Sequence, residues 1–124
     1  MPARPRVLVL EDESLIAMML EEWLVELGYD VVGPARTAAE AMALLESGEV
    51  NAAILDVTVP DGNSFAVADA LRARAVPFAF ATGHGANTDP RQKGAPVLGK
   101  PYDFEAFRQL LASGLGVTAL PDGA

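Results

Sequence analysis

The sequence near the amino end reads Val7-Leu8-Val9-Leu10-Glu11-Asp12-Glu13, a short apolar run that stops at three acidic residues. A continuous run of Val and Leu is typical of a strand buried on both faces, whereas a half-exposed strand alternates apolar and polar residues. From Ser14 the apolar residues recur at helical spacing, and Gly28 is typical of the position just past a helix. This stretch therefore predicts a buried strand over 6–10, an acidic loop and a helix.

The same strand-and-helix unit recurs along the chain. Further strands are predicted over 30–32, 52–56, 77–82 and 97–99, and further helices over 37–48, about 64–74 and after Asp103. A turn is predicted at Pro60, Asp61 and Gly62. The Gly- and Pro-rich segment 83–96 favours only a short helix. Parallel neighbours in a sheet need crossover connections, which the helices supply. The pattern therefore predicts a three-layer α/β fold with five parallel strands, whose ligands bind beyond the carboxyl ends of the strands.

Composition restricts the function. A length of 124 residues and 51% hydrophobic content predict one folded domain. Nine basic against 17 acidic residues give a net charge of −8, which disfavours a nucleic-acid binder acting alone. The absence of cysteine excludes disulfides, zinc–thiolate clusters and thiol nucleophiles. No apolar stretch approaches the roughly 20 residues of a membrane helix, so we expect a soluble protein. The absence of cysteine permits a reducing compartment, and the cytoplasm is the default expectation.

Charged and hydroxyl side chains stand where four of the predicted strands end. They are Glu11 and Asp12, then Asp56, Thr82 and Lys100. Carboxylates about 4 Å apart repel each other by roughly 4 kcal/mol at an effective dielectric constant of about 20, so three in one pocket need a cation or raised pKa values. Oxygen ligands without His or Cys favour Mg²⁺, for which Mn²⁺ could substitute. A metal, a carboxylate, a hydroxyl and an ammonium group are what the transfer of a phosphoryl group to Asp56 requires.

These motifs together resemble the receiver domain of bacterial two-component response regulators. The matching pieces are Val7-Leu8-Val9-Leu10-Glu11-Asp12-Glu13, Ala53-Ile54-Leu55-Asp56-Val57 with Pro60, Phe80-Ala81-Thr82-Gly83, and Gly99-Lys100-Pro101. The resemblance implies a flavodoxin-like (CheY-like), doubly wound parallel sheet with strand order 2-1-3-4-5. Residues 77–83 are further similar to single-domain regulators with a Phe-Ala-Thr-Gly signature.

The resemblance also implies a role for each residue at the strand ends. The implied roles are Asp56 as phosphoacceptor; Asp12, Asp56 and the backbone carbonyl of Thr58 as Mg²⁺ ligands; Glu11 as a ligand through water; Thr82 as a hydrogen-bond donor to the phosphoryl group; and Lys100 as its ion-pair partner, followed by a usually cis peptide bond to Pro101. Such a protein is a switch rather than an enzyme, because it catalyses only its own phosphorylation and slow autodephosphorylation.

The implied partners are proteins. A sensor histidine kinase or a histidine phosphotransfer protein would supply the phosphoryl group from a phosphohistidine. The protein would then act on a downstream protein partner or serve as a phosphate sink, without direct contact with DNA or a membrane. We expect a receiver domain over residues 1–113 and a loose C-terminal tail over 114–124, with no output domain.

The sequence departs from the family pattern at two positions, and two other classes of function stay open. Val97 stands three residues before Lys100, where most receivers carry a Tyr or Phe that moves on activation, and His84 stands where the signature subfamily often has an aromatic residue. A haloacid-dehalogenase-like phosphatase uses a similar set of groups, but it needs a second Asp where this chain has Thr58. A phosphorylation-independent binding module would keep the pocket only as structure.

Overall fold

The computed structural model describes residues 4–83 and 95–117. Its elements, in chain order, are β1 (Arg6–Leu10), α1 (Ser14–Leu27), β2 (Asp30–Ala35), α2 (Ala38–Ser47), β3 (Ala52–Asp56), β4 (Thr58–Val59), β5 (Gly62–Asn63), α3 (Phe65–Ala73), β6 (Phe78–Thr82), β7 (Val97–Gly99) and α4 (Phe104–Gln109), which continues as a π-helical turn over Leu110–Gly114. None of the helices in these two ranges is both long enough and apolar enough to cross a membrane.

Five of the strands form one parallel sheet in the order β2-β1-β3-β6-β7. When only the strands of this sheet are counted, that order is 2-1-3-4-5, which confirms the predicted doubly wound topology. β3 lies at the centre of the sheet, and all five of its residues are buried. Asp56, the last of them, is therefore placed at the middle of the carboxyl edge of the sheet.

Helices cover both faces of this sheet, as the three-layer prediction requires. Successive residues of β1 point to opposite faces because side chains alternate along a strand. One core cluster includes Leu8, Leu10, Leu55 and Phe80 with residues of α2 and α3; the other includes Val7, Val9 and Ile54 with residues of α1 and α4. The continuous apolar runs in the sequence reflect this burial on both faces.

Strand β2 is three residues longer than the sequence indicates. In the structure it runs on through Gly33 and Pro34, and after a shift of register Ala35 pairs with Leu10. The predicted end at residue 32 is therefore wrong. An edge strand tolerates a proline, which lacks an N–H, and Gly33 adopts a φ of 98° that favours glycine. A Cβ at residue 33 would lie only 2.6 Å from the backbone nitrogen of Ala35.

The turn predicted after β3 is the tip of a small antiparallel hairpin. Thr58 pairs with Asn63 and Val59 pairs with Gly62, so that Pro60 and Asp61 form the connection. Gly62 has a φ of 126°, a conformation that glycine adopts readily. Two-residue strands leave no alternation pattern in a sequence, which is why only the turn was predictable.

The packed core extends beyond Ser113. Leu115 is buried beside Leu111, Val117 packs on the same cluster, and the hydroxyl of Tyr29 donates to the carbonyl of Val117. The expectation of a loose tail from residue 114 is therefore wrong for residues 115–117, whose apolar side chains complete the face covered by α1 and α4. Residues 118–124 lie outside the described residues. So do His84 and most of the segment 83–96, over which a short helix is expected.

Candidate functional site

The sheet register brings three carboxylates together. Leu10, the last residue of β1, pairs with Leu55 of the neighbouring strand β3, so the residues that follow this pair, Glu11 and Asp56, lie at the same edge of the sheet. One carboxylate oxygen from each of Glu11, Asp12 and Asp56 lies within 4.8 Å of the others. Glu11 is almost fully buried and Asp12 is partly exposed, so the cluster is reached from the side of Asp12.

Asp56 is a buried carboxyl group, only 8% exposed. Burial raises the pKa of Asp56 to about 7; the Lys100 ammonium opposes this rise, and the Glu11 carboxylate adds to it. The protein groups alone therefore leave Asp56 partly protonated at neutral pH. A divalent cation among the three carboxylates would favour the ionised form, because an opposite charge stabilises a carboxylate.

Lys100 bridges two of these carboxylates. Its Nζ lies 3.2 Å from Oδ2 of Asp56 and 3.1 Å from Oε1 of Glu11. Burial alone would lower the pKa of Lys100, but the hydrogen bonds and charges of the two carboxylates outweigh burial and raise it. The ammonium group is therefore charged at neutral pH. The peptide bond from Lys100 to Pro101 is cis.

Thr82 ends the strand next to β3. It is 5% exposed and follows Ala81, which pairs with Asp56. The backbone N–H of Lys100 donates to the carbonyl of Thr82 over 3.0 Å. β6 and β7 thus bring a hydroxyl residue and an ammonium residue to the edge where Asp56 lies. Val97, at the position where most receivers carry an aromatic residue, pairs with Phe80 across the same two strands.

Thr58 begins the β4–β5 hairpin, two residues after Asp56. Its side chain is exposed. The hairpin starts close to the sheet because the N–H of Val57 donates to the carbonyl of Ala81, and the N–H of Ser64 closes the loop on the carbonyl of Val57. The expected contribution of Thr58 is its backbone carbonyl, so it depends on how this hairpin is held rather than on the threonine side chain.

Tyr102 is a site residue that the sequence reasoning missed. Its hydroxyl donates to Oε1 of Glu11 over 3.4 Å, and its ring centroid lies 5.8 Å from Nζ of Lys100. Burial, followed by the charges of Glu11 and Asp56, raises the pKa of Tyr102 above its ordinary value. The phenol therefore stays protonated and can donate to Glu11. The only signal in the sequence is that an aromatic residue stands two positions after the lysine.

The donor set fits a hard divalent cation. All three acidic groups offer carboxylate oxygens. Lys100 and the N–H of Glu13, which donates to Oε2 of Glu11 over 3.2 Å, already hold Glu11 in place. Mg²⁺ prefers such oxygen ligands and retains several waters, for which the partly exposed side of Asp12 leaves access. The site can therefore hold Mg²⁺ and present one ionised carboxylate beside an ammonium group.

Comparison with known proteins identifies the family. The model of the response regulator receiver domain matches residues 7–112, so the chain belongs to the receiver domains of two-component response regulators. Receiver domains are in general switches rather than enzymes, and they typically bind Mg²⁺ at an acidic pocket such as this one. The family predicted from the four motifs is confirmed.

Individual relatives agree with this assignment. The chain is 38% identical to the phyllosphere-induced regulator PhyR of Methylorubrum extorquens over 101 residues, which are 77% of this chain and 38% of that protein. It is 46% identical to SdrG from Sphingomonas melonis Fr1, whose solution structure matches with a TM-score of 0.78 over 90% of this chain and 97% of that one. The solution structure of the BeF3-activated conformation of SdrG from Pseudomonas melonis Fr1 matches at 45% identity and a TM-score of 0.76, over 93% of this chain and 99% of that one. The chain thus spans less than half of PhyR.

Proposed function

We propose that this chain is a single-domain response regulator in which Asp56 accepts a phosphoryl group from the phosphohistidine of a sensor histidine kinase or a histidine phosphotransfer protein. One observation carries the proposal: the ammonium group of Lys100 lies 3.2 Å from the carboxylate of Asp56, within a cluster of oxygen donors at the carboxyl edge of the sheet. Such a site holds a nucleophile, a positive charge that can pair with the phosphoryl group, and ligands for a metal.

The chemistry follows from these groups. A carboxylate oxygen of Asp56 forms a bond to phosphorus while the bond from phosphorus to the histidine nitrogen of the donor breaks. Lys100 then pairs with a phosphoryl oxygen, and the hydroxyl of Thr82 donates to another. Asp12, Asp56 and the backbone carbonyl of Thr58 would hold Mg²⁺, with Glu11 acting through water, and the ion would supply positive charge against the phosphoryl oxygens. No general base is needed, because an ionised carboxylate is already nucleophilic.

The output follows from the added charge. A phosphoryl group on Asp56 brings negative charge and strong acceptors to the edge formed by β3, β6 and β7. If Thr82 and Lys100 turn toward it, the surface around β6 and β7 changes, and a partner protein can distinguish the two states. Slow autodephosphorylation would reset the switch in the cytoplasm. A phosphate sink would use the same chemistry without a downstream partner, so we propose the messenger and the sink as two outcomes of one reaction.

Phosphorylation in vitro tests the proposal. Purified protein incubated with Mg²⁺ and acetyl phosphate should gain the mass of one phosphoryl group, and peptide mapping should locate it at Asp56. Asp56→Asn should abolish the gain, whereas Asp69→Asn, which changes an exposed acid on α3, should not. Labelling at another residue, or labelling that persists in Asp56→Asn, would reject Asp56 as phosphoacceptor. Rapid turnover of a small phosphomonoester would instead favour the phosphatase alternative.

A capture experiment separates messenger from sink. The phosphorylated protein, the unphosphorylated protein and Asp56→Asn would each be used to capture partners from extracts. A partner retained only by the phosphorylated form supports a messenger, and capture of a kinase or phosphotransfer protein alone supports a sink. Equal capture of one partner by all three forms would favour a phosphorylation-independent binding module.

A further inference from the structure

Asp61, at the tip of the β4–β5 hairpin, contacts a helix that is distant in sequence. Its Oδ1 accepts the N–H of Ala38 over 2.9 Å, and its Oδ2 accepts the N–H of Ala39 over 3.1 Å. These are the first two residues of α2. One exposed side chain thus joins the hairpin to the start of a helix more than twenty residues earlier in the chain.

This contact completes the N-terminus of α2. The first N–H groups of a helix have no partner within the helix, and they are usually satisfied by the residue that precedes it. Here Thr37 is that residue, and its Oγ1 accepts only the N–H of Glu40, over 3.1 Å. Asp61 satisfies the two N–H groups that Thr37 leaves, and its negative charge is favourable at a helix N-terminus.

The hairpin is fixed at two ends. At its base, Ser64 donates to the carbonyl of Val57, and Val57 donates to the carbonyl of Ala81. At its tip, the two hydrogen bonds of Asp61 hold it to α2. Thr58 lies between these two points. Its backbone carbonyl therefore depends on both of them for its position.

We propose that Asp61 is a positioning residue for the metal site, which acts by holding the β4–β5 hairpin, and with it the backbone of Thr58, against α2. This inference rests on the proposed function, which gives the carbonyl of Thr58 as a Mg²⁺ ligand. Asp61 itself does not contact the metal. Residues that hold metal ligands in place commonly change metal affinity when they are substituted.

Three variants separate positioning from stability and from charge. Asp61→Ala removes both hydrogen bonds and the charge, while Asp61→Asn removes the charge and keeps one acceptor. Thr37→Val removes the other cap of the same helix and leaves the hairpin contact intact, so it is the matched control for destabilised α2. Mg²⁺ affinity of the full-length, unphosphorylated proteins would be measured by NMR titration with MgCl₂.

We expect Mg²⁺ affinity to fall by about tenfold in Asp61→Ala, by less in Asp61→Asn, and to be unchanged in Thr37→Val. Without metal, the amide of Ser64 should exchange faster in Asp61→Ala than in Thr37→Val, because the hairpin is released only in the former. Saturating Mg²⁺ should restore the rate of phosphorylation by acetyl phosphate in Asp61→Ala, since no reacting group is lost.

The outcomes that overturn the inference are distinct from those that overturn the proposed function. Wild-type affinity in Asp61→Ala, equal losses in Asp61→Ala and Asp61→Asn, or an equal loss in Thr37→Val would reject the positioning role while Asp56 is still labelled in the wild type. Absence of Mg²⁺ binding and of labelling at Asp56 in the wild-type protein would reject both.

Discussion

Two aspartates five positions apart occupy opposite environments. Asp56 is buried at the end of the central strand, and burial raises its pKa to about 7. Asp61 is exposed at the hairpin tip, and the N–H groups of Ala38 and Ala39 hold its pKa below the ordinary value. Burial disfavours the charged form of Asp56, whereas hydrogen bonds favour that of Asp61. The charged form of Asp56 is thus unfavourable until a cation stabilises it, whereas Asp61 stays charged and holds the adjacent loop.

The largest expected effect concerns Asp56 in metal-free protein. Its pKa is raised above the value in the unfolded chain, so the stability that Asp56 contributes is full at low pH and is lost as pH rises toward about 7. Asp56→Asn removes the cost of a buried charge. We therefore expect it to be more stable than the wild type at pH about 8, because the fall in the free energy of unfolding between the ordinary pKa of Asp, about 4, and the folded value should flatten.

Urea unfolding with EDTA at several pH values measures this. Addition of Mg²⁺ should stabilise the wild type at alkaline pH and should do so much less in Asp56→Asn, because a metal ligand is lost. If Asp56→Asn were less stable than the wild type at alkaline pH, Lys100 would compensate the buried charge fully. Burial would then not disfavour the charged form of Asp56, and the prediction would be wrong.

The second prediction has the opposite sign and concerns Asp61. Its pKa is lowered in the folded state, so its contribution is present above the pKa of the unfolded chain and is lost as pH falls through the folded value. Asp61→Asn should therefore weaken the dependence of stability on pH below about 4, the ordinary range for Asp.

Acid titration of the unfolding temperature checks this, with Asp69→Asn as the control. Asp69 is exposed and pairs with Arg72 at the surface, where an ion pair contributes little. If the unfolding temperature fell equally at acidic pH in the wild type and in Asp61→Asn, the N-terminus of α2 would not stabilise the charge of Asp61.

The sequence predicts one of these environments and not the other. A buried apolar strand that ends in Asp56, next to another that ends in acids, places the carboxylates at one sheet edge through the rules of parallel topology. The contact of Asp61 with α2 joins residues from a two-residue hairpin and a helix start that no periodic pattern connects. A tertiary hydrogen bond of this kind depends on the final path of the loop.

For the same reason, the sequence predicts the place of Lys100 in the site but not that of Tyr102. Lys100 stands at the end of a predicted strand, so its approach to Asp56 follows from the sheet order. Tyr102 lies in the segment beyond that strand, and its contact with Glu11 depends on how the chain turns after Pro101. Local packing outside the sheet decided the positions that the sequence left open, including Leu115 and Val117 in the expected tail.

The smallest expected effect is that of Tyr102→Phe, which tests how far the buried carboxylates rely on groups besides Lys100. The hydroxyl reaches Glu11 over a long 3.4 Å, and Glu11 also accepts from Lys100 and from the N–H of Glu13. Loss of one of several hydrogen bonds should lower the free energy of unfolding by about 1 kcal/mol or less. Phosphorylation by acetyl phosphate should continue at Asp56, because no metal ligand or ion-pair partner is removed. Lys100→Ala is the comparison variant. If Tyr102→Phe lost as much stability or labelling as Lys100→Ala, the phenol would be as important to the cluster as the ammonium group, and it would join burial, Lys100 and Glu11 as a determinant of the state of Asp56.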